Sequence, residues 1–207
     1  GSRVAIWLGS TTSGHLVDLF TLFADAIGAP APVRSDLYTA YHGYDVLQAV
    51  SGDLLGSAAL PAYDLARADA IFSFGADYLG TWLNATAYNA AYSQFRSQPA
   101  GKRGYFVQFE PRMTNTGAAA DRWVPVRPGD EALVAQALVR LIADEGFGPA
   151  QRVEAAQAAA TDVDIEAAAT ACHLTVAELT ALARVFAEAE RPVALPGAGL
   201  AGRDNAA

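Results

Sequence analysis

Three short apolar runs, each closed by a polar or glycine-bearing turn, restrict the folds open to this chain more than any other feature. The runs are Ala70–Phe74, Gly104–Phe109 and Trp123–Val126, and the turns are Gly75-Ala76-Asp77, Glu110-Pro111-Arg112 and Arg127-Pro128-Gly129-Asp130. Each run has the length of a buried strand, and helix-period segments separate or follow them. Strands that alternate with helices imply parallel pairing with helices covering the sheet. The expected fold is therefore α/β, a Rossmann-like three-layer sandwich with a mostly parallel sheet, plus a helical segment at about 150–190. In an open parallel sheet ligands sit outside the carboxyl ends of the strands. The turns there would ring one crevice with Asp77, Glu110, Arg112, Thr114, Thr116, Arg127, Asp130 and Glu131. Arg112, ringed by acids, is expected to pair with Glu110 or Asp130. Gly75 and Gly129 follow apolar strands at sharp turns, where backbone geometry, as positive φ or a close approach, is expected to require glycine rather than packing.

Around this centre the remaining segments read as further α/β pieces. Arg3–Leu8 suggests a strand, and Leu16, Phe20, Phe23 and Ile27 repeat at helical spacing as one buried face ended near Gly28. A loop at Ala29–Pro32 and a short helix around Tyr44–Val50 come next. Trp82, Ala85, Tyr88, Ala91, Tyr92 and Phe95 form an aromatic helical stripe, which marks a core face. The Asn84-Ala85-Thr86 sequon falls inside that helix and is discounted as a glycosylation site. Asp130 is positioned to N-cap a helix over Glu131–Ile142, with Leu133, Ala137, Leu138, Leu141 and Ile142 as its apolar stripe. Thr175-Val176-Ala177-Glu178 is a capping box opening another helix. Arg191–Pro196 is a last strand, followed by a GxGxxG pattern at Gly197–Gly202 that could cradle a phosphate.

Composition removes several function classes. The net charge is −8, and Lys102 is the only lysine beside thirteen arginines, which argues against nucleic-acid binding. No run approaches the ~20 apolar residues of a membrane helix, so no direct membrane insertion is expected. Cys172 is the sole cysteine, so neither a disulfide nor an iron–sulfur cluster can be built from this stretch. His42 stands alone and reads as a hydrogen-bonded bystander, and no metal ligand is assigned. No charged stretch precedes an apolar segment at the start, so no signal peptide is expected within these residues. The 207 residues read as a single domain, expected to be a piece of a longer chain.

The order Ala68-Asp69-Ala70-Ile71, Ser73-Phe74-Gly75-Ala76-Asp77, Glu110–Thr116, Ala120-Asp121 and Arg127-Pro128-Gly129 resembles the molybdopterin oxidoreductases of the dimethyl-sulfoxide-reductase family. Within it, the form SFGADYLGTWLNATAY…FEPRMTNTGAAAD most resembles the branch of the alternative complex III B subunit. The resemblance implies a molybdopterin-like domain of an iron–sulfur subunit in a membrane-attached, quinol-oxidising electron-transfer complex. It implies cytochrome and quinol-binding membrane subunits as partners, iron–sulfur clusters elsewhere in the full chain, and a place on the periplasmic side of a bacterial inner membrane. In that family this crevice holds the guanosine-diphosphate arm of a molybdopterin cofactor. By position, Glu110 would face a ribose, Arg112 and Thr114 the nucleotide, and Glu131 the guanine edge. Ser35 or Asp36 would occupy the place of the molybdenum ligand.

The sequence departs from that pattern where a neutral amide becomes Asp77 and where two aspartates become Glu110 and Glu131. A carboxylate ~4 Å from a phosphate costs roughly 1–4 kcal/mol, enough to cancel a good hydrogen bond. The expectation is a vestigial crevice held by internal ion pairs, with no catalytic residue and no molybdenum cofactor in this stretch. The alternative is an active molybdenum or tungsten oxidoreductase domain binding molybdopterin guanine dinucleotide.

Overall fold

All four strands of the main sheet run parallel, and this brings every strand-end turn to one edge. The computed structural model describes residues 3–9, 13–34, 44–57, 59–97 and 103–197. In chain order these give β1 (Trp7–Leu8), α1 (Gly14–Ile27), β2 (Val33–Arg34), α2 (Tyr44–Leu55), a 3₁₀ turn at Leu65–Arg67 and β3 (Ala70–Phe74). Then follow α3 (Ala85–Arg96), β4 (Tyr105–Glu110), α4 (Asn115–Ala118), β5 (Arg122–Pro125), α5 (Glu131–Glu145), α6 (Ala150–Ala159), α7 (Ile165–Ala171), α8 (Val176–Glu188) and β6 (Pro192–Pro196). The main sheet has the order β5-β4-β3-β6, and β1 and β2 form a separate parallel pair. The expected Rossmann-like α/β architecture is present.

The core follows from strand alternation. Phe72, Val107, Phe109 and Val124 point to one face and meet Val134, Ala137, Leu138 and Leu141 of α5 with Leu179, Leu182 and Ala183 of α8. Ile71, Phe106 and Leu195 point to the other, against Tyr78, Trp82, Tyr88 and Phe95. Because both faces are covered, β3 and β4 are apolar almost throughout, as buried parallel strands must be. Asp69 fixes the start of β6: its carboxylate accepts from the Glu190 and Arg191 amides, both at 2.8 Å.

Several local expectations shift. Trp82 is buried but precedes α3, which starts at Ala85. Asn84 is the N-cap, its side chain accepting from the Ala87 amide at 3.2 Å, and does not lie inside the helix. On α5, Val134 is buried as well, and Leu133 packs half-buried against the same core. The largest departure is α1, where only Ala24 is buried and Leu16 and Phe23 are 40% and 51% exposed. An apolar stripe says which residues want cover, but the cover must come from elsewhere in the fold.

The capping box forms as expected. The Thr175 hydroxyl accepts from the Glu178 amide at 3.2 Å, and the Glu178 carboxylate accepts from the Thr175 amide and hydroxyl at 2.9 Å each. The backbone N–H of Thr175, then its hydroxyl, hold the Glu178 carboxyl below its ordinary range. A group whose pKa is depressed on folding contributes stability above its unfolded-state value and loses it as pH falls through the folded one. The stability gap between the parent and Glu178→Gln should thus stay constant near neutrality and shrink on acidification below the usual carboxylate range. Urea titrations from neutral to acid pH would show this, and a gap independent of pH would contradict it.

Candidate functional site

The strand-end edge carries the residues that the sequence points to, but it sorts them into two clusters. The first lies beyond β3 and β4. The Gly75 amide donates to the Phe109 carbonyl at 2.7 Å, and the Gly197 amide donates to the Phe74 carbonyl at 2.9 Å. Gly75 has φ 77° and Gly129 φ 91°, with no atom closer than 3.6 Å to a Cβ at the first and none within 4 Å at the second. Backbone geometry, not crowding, demands glycine at both, as expected.

Asp77 turns inward. Its carboxylate accepts from the Thr116 hydroxyl at 2.6 Å and from the Thr81 hydroxyl at 3.0 Å. Its carbonyl accepts from the amides of Gly80, Thr81 and Trp82. Thr116 in turn accepts from the Leu79 amide at 3.1 Å, tying the turn after β3 to α4.

Glu110 is 2% exposed and makes no ion pair with any described residue. Its carboxylate accepts from the Thr114 amide at 2.7 Å, from the Thr114 hydroxyl at 3.0 Å, and from Gln108 Nε2 at 3.1 Å. The Thr114 hydroxyl also accepts from the Gly117 amide, N-capping α4. Gln108 Nε2 reaches the Ala76 carbonyl at 3.4 Å, where Ser73 Oγ donates at 3.1 Å. Every carboxylate oxygen of Asp77 and Glu110 is therefore met by a donor from this chain. Ser73 and Gln108 were missed by the sequence reading. The available signal was a polar residue inside each apolar strand, and Gln108 shares a face with Glu110 two residues on.

The second cluster lies in the turn after β5. Arg127 Nε pairs with Asp130 at 3.2 Å, and the Gly129 amide donates to Glu131 Oε2 at 2.9 Å. Asp130 occupies the N-cap position of α5 but makes no side-chain cap; its carboxylate is taken by Arg127. Arg112 is exposed and makes no ion pair with any described residue, contrary to the expected pairing with Glu110 or Asp130. Glu110 is buried among neutral donors and Asp130 is committed to Arg127, so neither acid is free to hold it.

A guanosine-diphosphate arm fits these residues poorly. Four carboxylates at Asp77, Glu110, Asp130 and Glu131 stand against two guanidiniums, and Arg127 is already paired. Glu110 could turn to a ribose only by giving up three internal hydrogen bonds in a buried place, where each lost partner is costly. Among the described residues no group of three His, Cys, Asp or Glu side chains could hold a metal ion. Ser35, Asp36, His42 and the Gly-rich turn beyond Gly197 lie outside the described residues. Cys172 is buried and its Sγ donates to the Ala168 carbonyl at 3.1 Å, as a packed thiol does.

No family model matches the chain. Among curated proteins it is similar to the menaquinone reductase, molybdopterin-binding-like subunit of Nitratidesulfovibrio vulgaris (strain Hildenborough), 30% identical over 146 residues. That match covers 70% of this chain and 21% of the relative, so the chain spans about a fifth of the relative's length. Among solved structures, acetylene hydratase from Pelobacter acetylenicus superposes with a TM-score of 0.56 at 15% sequence identity. The superposition covers 94% of this chain and 26% of that protein. The chain thus has the fold of one region of acetylene hydratase and the sequence kinship of a molybdopterin-binding-like subunit.

Proposed function

We propose that this chain is the molybdopterin-like α/β domain of a subunit in a membrane-attached quinone- or quinol-linked electron-transfer complex, and that it holds no molybdenum cofactor. The domain is a scaffold that positions the redox-active parts of its subunit and their cytochrome and membrane partners. In its finer form the proposal places it in an iron–sulfur subunit of the alternative complex III type, on the periplasmic side of the membrane. The kinship with the menaquinone reductase subunit supports the complex. No described helix is long and apolar enough to cross a membrane.

The observation that carries the cofactor-free reading is that every carboxylate oxygen of Glu110 and Asp77 is met by a donor of this chain. A cofactor arm bearing a diphosphate needs cations and unsatisfied donors at the strand ends. Here the donors of Thr114, Thr116, Thr81 and Gln108 are already used on the chain's own carboxylates. The test is elemental and nucleotide analysis of the complete purified subunit. Molybdenum, tungsten and guanine nucleotide are all expected far below one equivalent per chain. Stoichiometric metal together with guanine nucleotide would replace this reading with that of an active molybdenum or tungsten oxidoreductase domain.

A further inference from the structure

A groove of about 720 Å³ opens between α2 and α5 and reaches the strand-end edge at Phe74, Gly129, Glu131 and Gly197. Its two walls carry matching periodicities. On α2 the groove side is formed by Leu47, Val50, Ser51, Leu54 and Leu55, which fall at steps of three and one. On α5 it is formed by Ala132, Ala135, Gln136 and Val139, again at steps of three and one. Both are single helical faces. The α5 face is distinct from the one that meets the sheet, which uses Val134, Ala137, Leu138, Leu141 and Ile142. Leu47 is buried, yet Leu54 and Leu55 at the far end of α2 are 75% and 72% exposed. Two facing helical stripes, small residues on one wall and large ones on the other, are the surroundings that a third helix packs into.

The floor of the groove excludes the other secondary structure. It is the outer edge of β6, represented by Ala194 and Pro196. The Arg191 carbonyl and the Gly197 amide both bond toward β3, so in this parallel pair the odd-numbered residues face β3. The outward groups then belong to Pro192, Ala194 and Pro196, which among them have one N–H. Proline at alternate positions blocks strand addition at an edge. An occupant that extends the sheet is ruled out, whereas a helix needs nothing from that edge. The chemistry of the lining is also one-sided: among the described residues it includes no Lys, Arg or His, and its one carboxylate is Glu131. Phosphates are disfavoured there, and a basic side chain at the Glu131 end is favoured.

We infer that this groove seats an α-helix from a region of the same polypeptide outside residues 1–207, apolar on its buried face and carrying Arg or Lys toward Glu131. The matched region is only 21% of the menaquinone reductase subunit, which leaves most of such a polypeptide able to supply that helix. Because the groove shares Gly129 and Glu131 with the strand-end crevice, the inference rests on the cofactor-free reading.

Photo-crosslinking in the full-length polypeptide, kept in its native complex, tests it. p-Benzoylphenylalanine would replace Leu55 or Gln136, both at the groove, and Ala181 on α8 as an exposed control. Leu55 is 72% exposed, so the change should not disturb folding. The expected result is that both groove positions capture one peptide of the same chain, at residues three or four apart, and that Ala181 does not. Ala135→Trp, which fills the groove, should cause loss of the Leu55 adduct. Capture of another subunit, of a lipid or quinone, or of nothing at both groove positions would overturn the inference, as would a Leu55 adduct undiminished by Ala135→Trp.

Discussion

Arg96→Ala is expected to lower the unfolding free energy by about 3–5 kcal/mol, the range for removing one partner of a largely buried ion pair. The Arg96 side chain is 12% exposed and pairs with Asp121 at 2.5 Å. It also donates to the Gly104 carbonyl at 3.0 Å, the Ala119 carbonyl at 2.8 Å and the Tyr92 hydroxyl at 2.8 Å. Through these contacts one guanidinium ties the end of α3 to the start of β4 and to the connection into β5. Asp121 would keep the Phe106 amide at 2.8 Å and, as its cation among the described residues, Arg103 at 3.4 Å, itself 64% exposed. Arg96→Lys should fall between parent and alanine, because an ammonium keeps the charge but not the planar fork that reaches four acceptors. Urea denaturation followed by circular dichroism, on a length of chain that unfolds in one cooperative step, gives the number. A loss under about 1 kcal/mol, the value of an exposed pair, would show that the node is not structural.

Glu110→Ala should cost about 1–3 kcal/mol in the absence of any ligand, from leaving the half-buried Thr114 amide without its acceptor and Gln108 Nε2 with only the Ala76 carbonyl at 3.4 Å. Glu110→Asp should also destabilise, because the shorter side chain withdraws from the Thr114 amide, now 2.7 Å away. This separates the two roles open to the residue. A ribose ligand would be nearly silent in stability and costly only in nucleotide binding, whereas an internal pin shows its whole effect in the folded chain alone. Equilibrium unfolding of the three proteins decides it, and a Glu110→Ala variant as stable as the parent would restore the ribose-binding role.

Much of the architecture was legible beforehand because it depends on neighbours along the chain. The runs at β3 and β4 are apolar and end in turns, and a buried parallel strand needs no further signal. The box at Thr175 and Glu178 is a three-residue interaction, so its partners are visible in the text of the sequence. The turns at Gly75 and Gly129 were legible for the same reason. What failed was the choice of partners among charged residues. Arg112 was expected to be paired because acids surround it in sequence, but Glu110 points under the turn and Asp130 faces Arg127 three residues away.

The sequence by itself determined the parallel α/β fold, the edge at which its turns gather, and the excess of acid there, since each rests on local periodicity and on residue type. Tertiary structure alone decided that Asp77 and Glu110 spend their oxygens on Thr116, Thr81, Thr114 and Gln108. The Asp77–Thr116 contact joins residues 39 apart in the chain. It also decided that α1 and the end of α2 keep apolar faces uncovered. A hydrogen bond requires two groups within about 3 Å, and which distant groups come that close is set by how the strands are ordered in the sheet, a property no local pattern contains.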